Sequence, residues 1–415
     1  MINRRTALKV LAAGTAGLRP LPALSQSKFA ALDANLEKAI ALGHAPGLVG
    51  LVAKGPDVHV VALGRMAIDG PPMQRDSFFR IASMTKPITA AAAMMLVEEG
   101  KLSFQQAVDT LIPELADRRV LRKLDGPVDD TEPARRRITV EDLLTFRLGL
   151  GLLLDPPGTY PIQKTIAELG IVGFGPPDAT ASYSGDEWIK RLATLPLFAQ
   201  PGERWIYTTG SNILGVLVAR ASGISLGDFL AERLFGPLGM KDTGFYVPPS
   251  KMGRLVTAYR PKGSVLEVYD EPSTGGYSRP PAFEQGDSGL VSTVDDYLIF
   301  ARLLLGRGEY NGRRLLSSQA VQAMTVDHLT AAQRKDGVEI LQEGHGWGYG
   351  MSVVAAGNAT AAPIGAIGWS GGFGTKWHSD PATGLTTILM TQRMFDSPKP
   401  AQVFETFEID ARKAG

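Results

Sequence analysis

The pattern of apolar and polar positions changes period along the chain, and each change predicts an element. Asp33 to Leu42 spaces its apolar residues as an amphipathic helix does. Gly47 to Val52 and Val58 to Leu63 are two apolar, β-rich runs on either side of Lys54-Gly55-Pro56-Asp57, which reads as a hairpin. From Ile88 to Val97 every residue except Thr89 is apolar. A helix apolar on all sides is buried, with Gly100 as its stop and Pro87 in its first turn. Strand character returns at Tyr349 to Val354, Ile364 to Trp369, Thr375 to Ser379 and Leu385 to Gln392. The turns between these runs are short, which favours antiparallel pairing. Pro400 to Lys413 reads as a closing helix.

The expected fold is α/β of the α+β type: an antiparallel sheet flanked by helices, built from both ends of the chain, with a mostly helical lobe inserted between them. Residues 28–85 and 330–415 would form the sheet domain and 86–329 the lobe, with a site at their junction. Gly149 to Tyr183 is the least regular stretch, rich in Pro and Gly. A loop of that length in a compact protein usually forms a functional wall or lid.

Composition narrows the function. The 415 residues are 44% hydrophobic and 20% charged, as in an ordinary folded protein. Lys+Arg 43 against Asp+Glu 42 leaves a net charge of +1, so there is no electrostatic footprint for nucleic acid. Cys 0 removes thiolate nucleophiles, thiolate metal sites and disulfides together. Arg4-Arg5, the apolar run Val10 to Leu18 and the small residues near Ala23 to Ser25 resemble a twin-arginine export signal over residues 1–27. That reading predicts a periplasmic or secreted protein, and a basic cytoplasmic N-terminus is its alternative. The apolar run is too short to span a bilayer.

The strongest chemistry sits where the buried helix begins. Ser83 and Lys86 lie one turn apart on the same face. A serine hydroxyl needs a base, and a lysine serves as one when burial and positive potential depress its pKa. The helix N-terminus supplies that potential, together with free N–H groups for an oxyanion. A capping serine beside a solvated lysine is the alternative, although a solvated lysine fits poorly at the mouth of a buried helix. The pattern Gly-x-Ser-x-Gly occurs at Gly223 to Gly227 and at Gly368 to Gly372. Neither suits a nucleophile elbow: no acid lies between Ser370 and His378, and Ser225 follows a helical run. Ser225 with Asp228 reads as a helix cap instead. The histidines, His44, His59, His328, His345 and His378, lack metal-ligand spacing and read as surface or core residues.

Three spaced motifs resemble those of the serine β-lactamase and penicillin-binding-protein superfamily. Ser83-Met84-Thr85-Lys86 looks like its Ser-x-x-Lys helix. Pro201-Gly202-Glu203-Arg204-Trp205-Ile206-Tyr207-Thr208-Thr209 resembles the class C tyrosine motif, and Gly368-Trp369-Ser370-Gly371-Gly372 resembles the third motif. The resemblance implies a β-lactamase/transpeptidase-like fold, with Ser83 as acylated nucleophile and Lys86 and Tyr207 as the proton-transfer pair. It also implies an oxyanion hole from the Ser83 and Gly372 N–H groups. In this reading Tyr207 acts as base and returns the proton to the leaving group.

Departures from the β-lactamase pattern point to the substrate. The third motif has Trp369-Ser370-Gly371 where that family usually has Lys-Thr-Gly, and Thr209 stands where an Asn is usual. These changes, and the long insertion from Leu152 to Pro201, look like family VIII carboxylesterases. The resemblance therefore implies hydrolysis of a small-molecule ester, with Trp369 as wall and hydrogen-bond donor, and with no cofactor, metal or nucleic-acid partner. A β-lactamase or D-Ala-D-Ala peptidase, an acyltransferase and an inactive binding homologue remain the alternatives.

Overall fold

A computed structural model describes residues 28–174, 180–356, 362–398 and 400–415; the export-signal expectation at Arg4-Arg5 lies outside them. The sheet has seven strands in the spatial order His345–Trp347, Ser352–Val354, Ile367–Gly371, Thr375–Asp380, Leu385–Thr391, Gly47–Lys54, Asp57–Gly64. All neighbours are antiparallel. Both ends of the chain thus meet in one sheet, Gly47–Lys54 pairing with Leu385–Thr391 and with its own hairpin partner.

Gly47–Lys54 is buried along nearly its whole length because both faces of the sheet are covered. Val49, Leu51 and Ala53 face the main core, while Leu48 and Val52 pack with Leu36 of the Ala30–Ala41 helix and Phe404 and Phe407 of the Gln402–Ala414 helix. Each large apolar side chain buried this way contributes roughly 1.5–3 kcal/mol, enough in sum to hold the two terminal helices down. That two-sided burial explains why the strand reads as a continuous apolar run and not as an alternation.

The apolar run after Lys86 is the Thr85–Glu98 helix, buried from Thr85 to Leu96. It packs against the Thr209–Ser222 helix. Gly286 permits that approach: a Cβ there would meet the Ser211 carbonyl and Gly215 Cα.

Three local readings differ from the sequence expectation. The run from Tyr349 becomes a strand only at Ser352, because Gly350 takes φ +78° and Gly348 N–H bonds the Met351 carbonyl, forming a turn. The residues before that turn, His345–Trp347, form the edge strand, which three residues with two flanking glycines do not announce. Within 149–183, Pro161–Leu169 is a helix, ended by Gly170 in the left-handed region. Among the described residues, no single helix is long and apolar enough to cross a membrane.

Candidate active site

Ser83 lies in a 3-10 turn, Ala82–Met84, that feeds the buried helix. The turn is clamped from several directions. Ile81 N–H donates to the Leu290 carbonyl (3.0 Å), and Tyr297 OH donates to the Met84 carbonyl (3.0 Å). Leu290 N–H donates to Thr85 Oγ1 (3.2 Å), and Thr375 Oγ1 donates to the Ile81 carbonyl (3.3 Å). These bonds hold Ala82 at φ +41°, a conformation non-glycine residues seldom take.

Lys86 Nζ lies 2.8 Å from Ser83 Oγ and 2.9 Å from the Asp287 carbonyl oxygen, to which it donates. The ammonium is fully buried, and loss of solvation lowers its pKa to about 8, against a smaller upward pull from Asp287. The same ammonium sits 4.6 Å from the Tyr207 ring centroid. Tyr207 approaches from the loop before the Thr209–Ser222 helix, and its phenol oxygen accepts a 2.7 Å hydrogen bond from Trp369 Nε1. Burial pushes the phenol well above its ordinary pKa, and hydrogen bonds with Ser83 and Trp369 offset this in part. Phe146, Trp205, Trp347 and Trp369 surround its ring, with centroids 5.6–6.3 Å away. Three of the five tryptophans in the chain therefore pack around one phenol and fix its position.

Folding thus brings Ser83, Lys86, Tyr207 and Trp369 together, and Ser83, Tyr207 and Trp369 line a cavity of about 360 Å³. Ser370 and Gly372 line the same cavity. Gly371 does not line it; the residue packs where a Cβ would meet the Ile81 carbonyl, against the turn that carries Ser83. Thr209 is buried away from the cavity, its hydroxyl facing the Gly173 carbonyl at 3.5 Å. Its neighbour Thr208 lines the cavity instead. Ser225 caps the Leu226–Leu230 helix, accepting a bond from Asp228 N–H. Among the described residues, no group of three or more His, Asp or Glu is arranged to hold a metal ion.

Asp287 was invisible in the sequence. It lies 201 positions from Lys86, on a loop with no motif of its own. Its carbonyl accepts from Lys86, its carboxylate from Thr208 Oγ1 (3.0 Å) and Ser288 Oγ (2.7 Å), and its N–H donates to Asn212 Oδ1 (3.1 Å). Thr208, directly after Tyr207, is held at φ +86°, so the Asp287 carboxylate restrains a strained turn beside the phenol. Asp287→Asn keeps the shape and removes the charge. Because the carboxylate raises the Lys86 pKa, its loss is expected to move the acid limb of the pH–activity profile to lower pH, with about tenfold lower turnover. An unshifted limb would refute the electrostatic part of this assignment.

Comparison with known proteins places the chain. Residues 32–405 match the Beta-lactamase family, and the chain belongs to that family. Protein Rv1367c of Mycobacterium tuberculosis (strain H37Rv) is 40% identical over 348 residues, covering 82% of this chain and 83% of that protein. Esterase EstB of Burkholderia gladioli is 31% identical over 394 residues, covering 89% and 92%. Among solved structures, EstCE1, described as a hydrolase with promiscuous acyltransferase activity, superposes with a TM-score of 0.78 at 24% identity, covering 94% of this chain and 99% of that one. The expected antiparallel sheet with flanking helices is the architecture found, and it is the β-lactamase/transpeptidase fold.

Proposed function

We propose that this chain is a serine esterase that hydrolyses small carboxylic esters through an acyl-enzyme on Ser83. The observation that carries the reading is the convergence on Ser83 of Lys86, whose Nζ lies 2.8 Å from Ser83 Oγ and 4.6 Å from the Tyr207 ring centroid, with a phenol that accepts from Trp369. The cavity beside it has apolar walls at Leu152, Leu154, Leu341 and Phe395. The similarity to Esterase EstB supports the same substrate class.

The electrostatics support a division of labour different from the sequence expectation that Tyr207 is the base. Burial depresses the Lys86 ammonium and raises the Tyr207 phenol, so near pH 8 the amine is half deprotonated while the phenol keeps its proton. Neutral Lys86 takes the proton from Ser83 Oγ as that oxygen bonds to the ester carbon. N–H groups of Ser83 and Gly372 would hold the developing oxyanion. The C–O bond to the alcohol then breaks, and Tyr207 gives its proton to the departing alkoxide while Lys86 returns one to the phenol. Water repeats the sequence in reverse on the acyl-enzyme. The Trp369 indole, donating to Tyr207, steadies negative charge on the phenol oxygen as its proton leaves.

The β-lactamase reading is weaker on the same geometry. The third-motif position that usually carries a lysine is Trp369, and its one donor is engaged with Tyr207. Acyl transfer to an alcohol is the second reading, favoured by the printed description of EstCE1, because one acyl-enzyme serves either acceptor. Purified protein is expected to hydrolyse p-nitrophenyl butyrate and to turn over a chromogenic cephalosporin at least a hundredfold more slowly, and a fluorophosphonate is expected to label Ser83. Label on Ser225 or Ser370, or a reversed substrate order, would overturn the proposal.

A further inference from the structure

Proton transfer from Ser83 requires a charge state that the surroundings do not balance. Lys86 must be neutral to take that proton. Its ammonium is then gone from beside Asp287, to whose backbone carbonyl Nζ donates at 2.9 Å. The two carboxylate oxygens of Asp287 accept from Thr208 Oγ1 (3.0 Å) and Ser288 Oγ (2.7 Å). Neither donor carries a charge, and among the described residues the carboxylate forms no ion pair. Arg80 does not supply the missing cation. It packs over the ring of Tyr277, whose OH donates to the Ser288 carbonyl, and is already paired with Asp270.

The carboxylate is close enough to act on a substrate. Lys86 Nζ lies 2.8 Å from Ser83 Oγ and 2.9 Å from the Asp287 carbonyl oxygen. Bond lengths hold the carbonyl and carboxylate of one aspartate within about 5 Å of each other, so the charge lies no more than about 11 Å from Ser83 Oγ. Gly173, on the cavity wall with Asp287 and Thr208, puts no side chain over it: a Cβ there would stand 3.9 Å from Asp287 Oδ2. Lys376 is the other residue of the lining with a full charge, and Glu408 Oε1 lies 3.1 Å from its ammonium. Burial lowers the pKa of His345 and His378, which favours neutral rings. With Lys86 neutral the cavity is left net negative, in buried surroundings where salt screens little.

We propose that Asp287 selects the charge of the substrate: the site favours esters that carry an ammonium group, accepts neutral esters and disfavours those that carry a carboxylate. The inference rests on the esterase reading and names its substrate class. It is separate from the role of Asp287 in holding Lys86, because a field acts on charge throughout the cavity, on the acyl or the alcohol arm, without a contact. At about 11 Å and an effective dielectric constant of about 20, one charge shifts the binding of another by about tenfold.

The test uses matched esters and the full chain at pH 9, above the Lys86 pKa of about 8. Butyrylcholine is set against its uncharged isostere 3,3-dimethylbutyl butyrate, and methyl 6-aminohexanoate and monomethyl adipate against methyl heptanoate. Wild-type kcat/KM is expected to fall from cation to neutral ester to anion, the aminohexanoate exceeding the adipate by about tenfold or more. In Asp287→Asn and Asp287→Ser that ratio is expected to drop toward one. A general loss of activity does not imitate this, because the ratio compares substrates on one protein. A ratio unchanged in the variants overturns the proposal and leaves Asp287 acting through Lys86 alone. Equal wild-type values across both sets overturn it without any variant, and so does a preference for the adipate half-ester, which would make Lys376 the dominant charge. Equilibrium binding to Ser83→Ala at the same pH, read by tryptophan fluorescence, separates these outcomes from failure of the esterase reading. If no ester is cleaved and the aminohexanoate still binds about tenfold tighter than the adipate, the charge selection stands and the esterase reading falls. Equal binding of the two overturns the charge selection.

Discussion

Lys86→Met is expected to lower ester turnover by about 10²–10⁴-fold, the range for loss of a positioned general base. Methionine has similar length and suits a site where the native side chain is fully buried, so the loss reports chemistry and not packing. The pH dependence makes the expectation sharper. Burial disfavours the ammonium, and the folded pKa falls to about 8. Below that value Lys86 is protonated and cannot accept the Ser83 proton; above it the amine is free. Wild-type kcat/KM is therefore expected to rise with pH through about 8 and then level off, and the residual activity of Lys86→Met is expected to lack that limb. A variant with the wild-type limb would mean that another group sets it, and the base assignment would fail.

Tyr207→Phe is expected to cost about 10²–10³-fold in kcat/KM on alkyl esters and markedly less in kcat/KM on p-nitrophenyl esters, because kcat/KM reports acylation and not the shared deacylation in which Tyr207 takes a proton from water. The reason lies in the leaving group. An alkoxide must receive a proton as it departs, whereas p-nitrophenolate leaves as a stable anion. If Tyr207 is the acid, removing its hydroxyl penalises the first and largely spares the second. If it were instead the base that activates Ser83, both substrates would suffer alike, since attack on the carbonyl is common to them. Phenylalanine keeps the ring between Phe146, Trp205, Trp347 and Trp369, so the surrounding packing is preserved. It leaves Trp369 Nε1 without its acceptor, at a cost of roughly 1–3 kcal/mol in stability that a thermal melt reads separately from activity.

The two experiments divide the roles of a tightly coupled pair. Lys86 lies against the Tyr207 ring and beside Ser83, so the protons of amine and phenol move within one network. The pH limb and the leaving-group dependence report different steps, attack and departure, and together they show which group serves each.

Local pattern was enough to read several parts of this protein. The hairpin around Lys54 to Asp57, the wholly apolar helix after Lys86 and the Ser225 cap follow from rules that act over a few residues. So does the pairing of Ser83 with Lys86, because one helical turn fixes their spacing. The irregular stretch from Gly149 was legible as a wall, and Leu152, Leu154 and Gly173 do line the cavity. The edge strand at His345 was not, because three residues between glycines carry no period.

What the sequence by itself determined was the covalent order of the motifs, the amphipathic elements that build the sheet and its helices, and a serine placed at the mouth of a buried helix. Only the tertiary structure decided that Asp287 holds Lys86 and the turn after Tyr207, that Thr208 and not Thr209 faces the cavity, and that Lys376 and His378 of one strand close on Glu408 of the C-terminal helix. Local rules fix neighbours along the chain through backbone geometry. Burial, and with it the pKa values and the pairing of polar groups, depends on which distant segments close over a side chain, and that is set by the packing of the whole core.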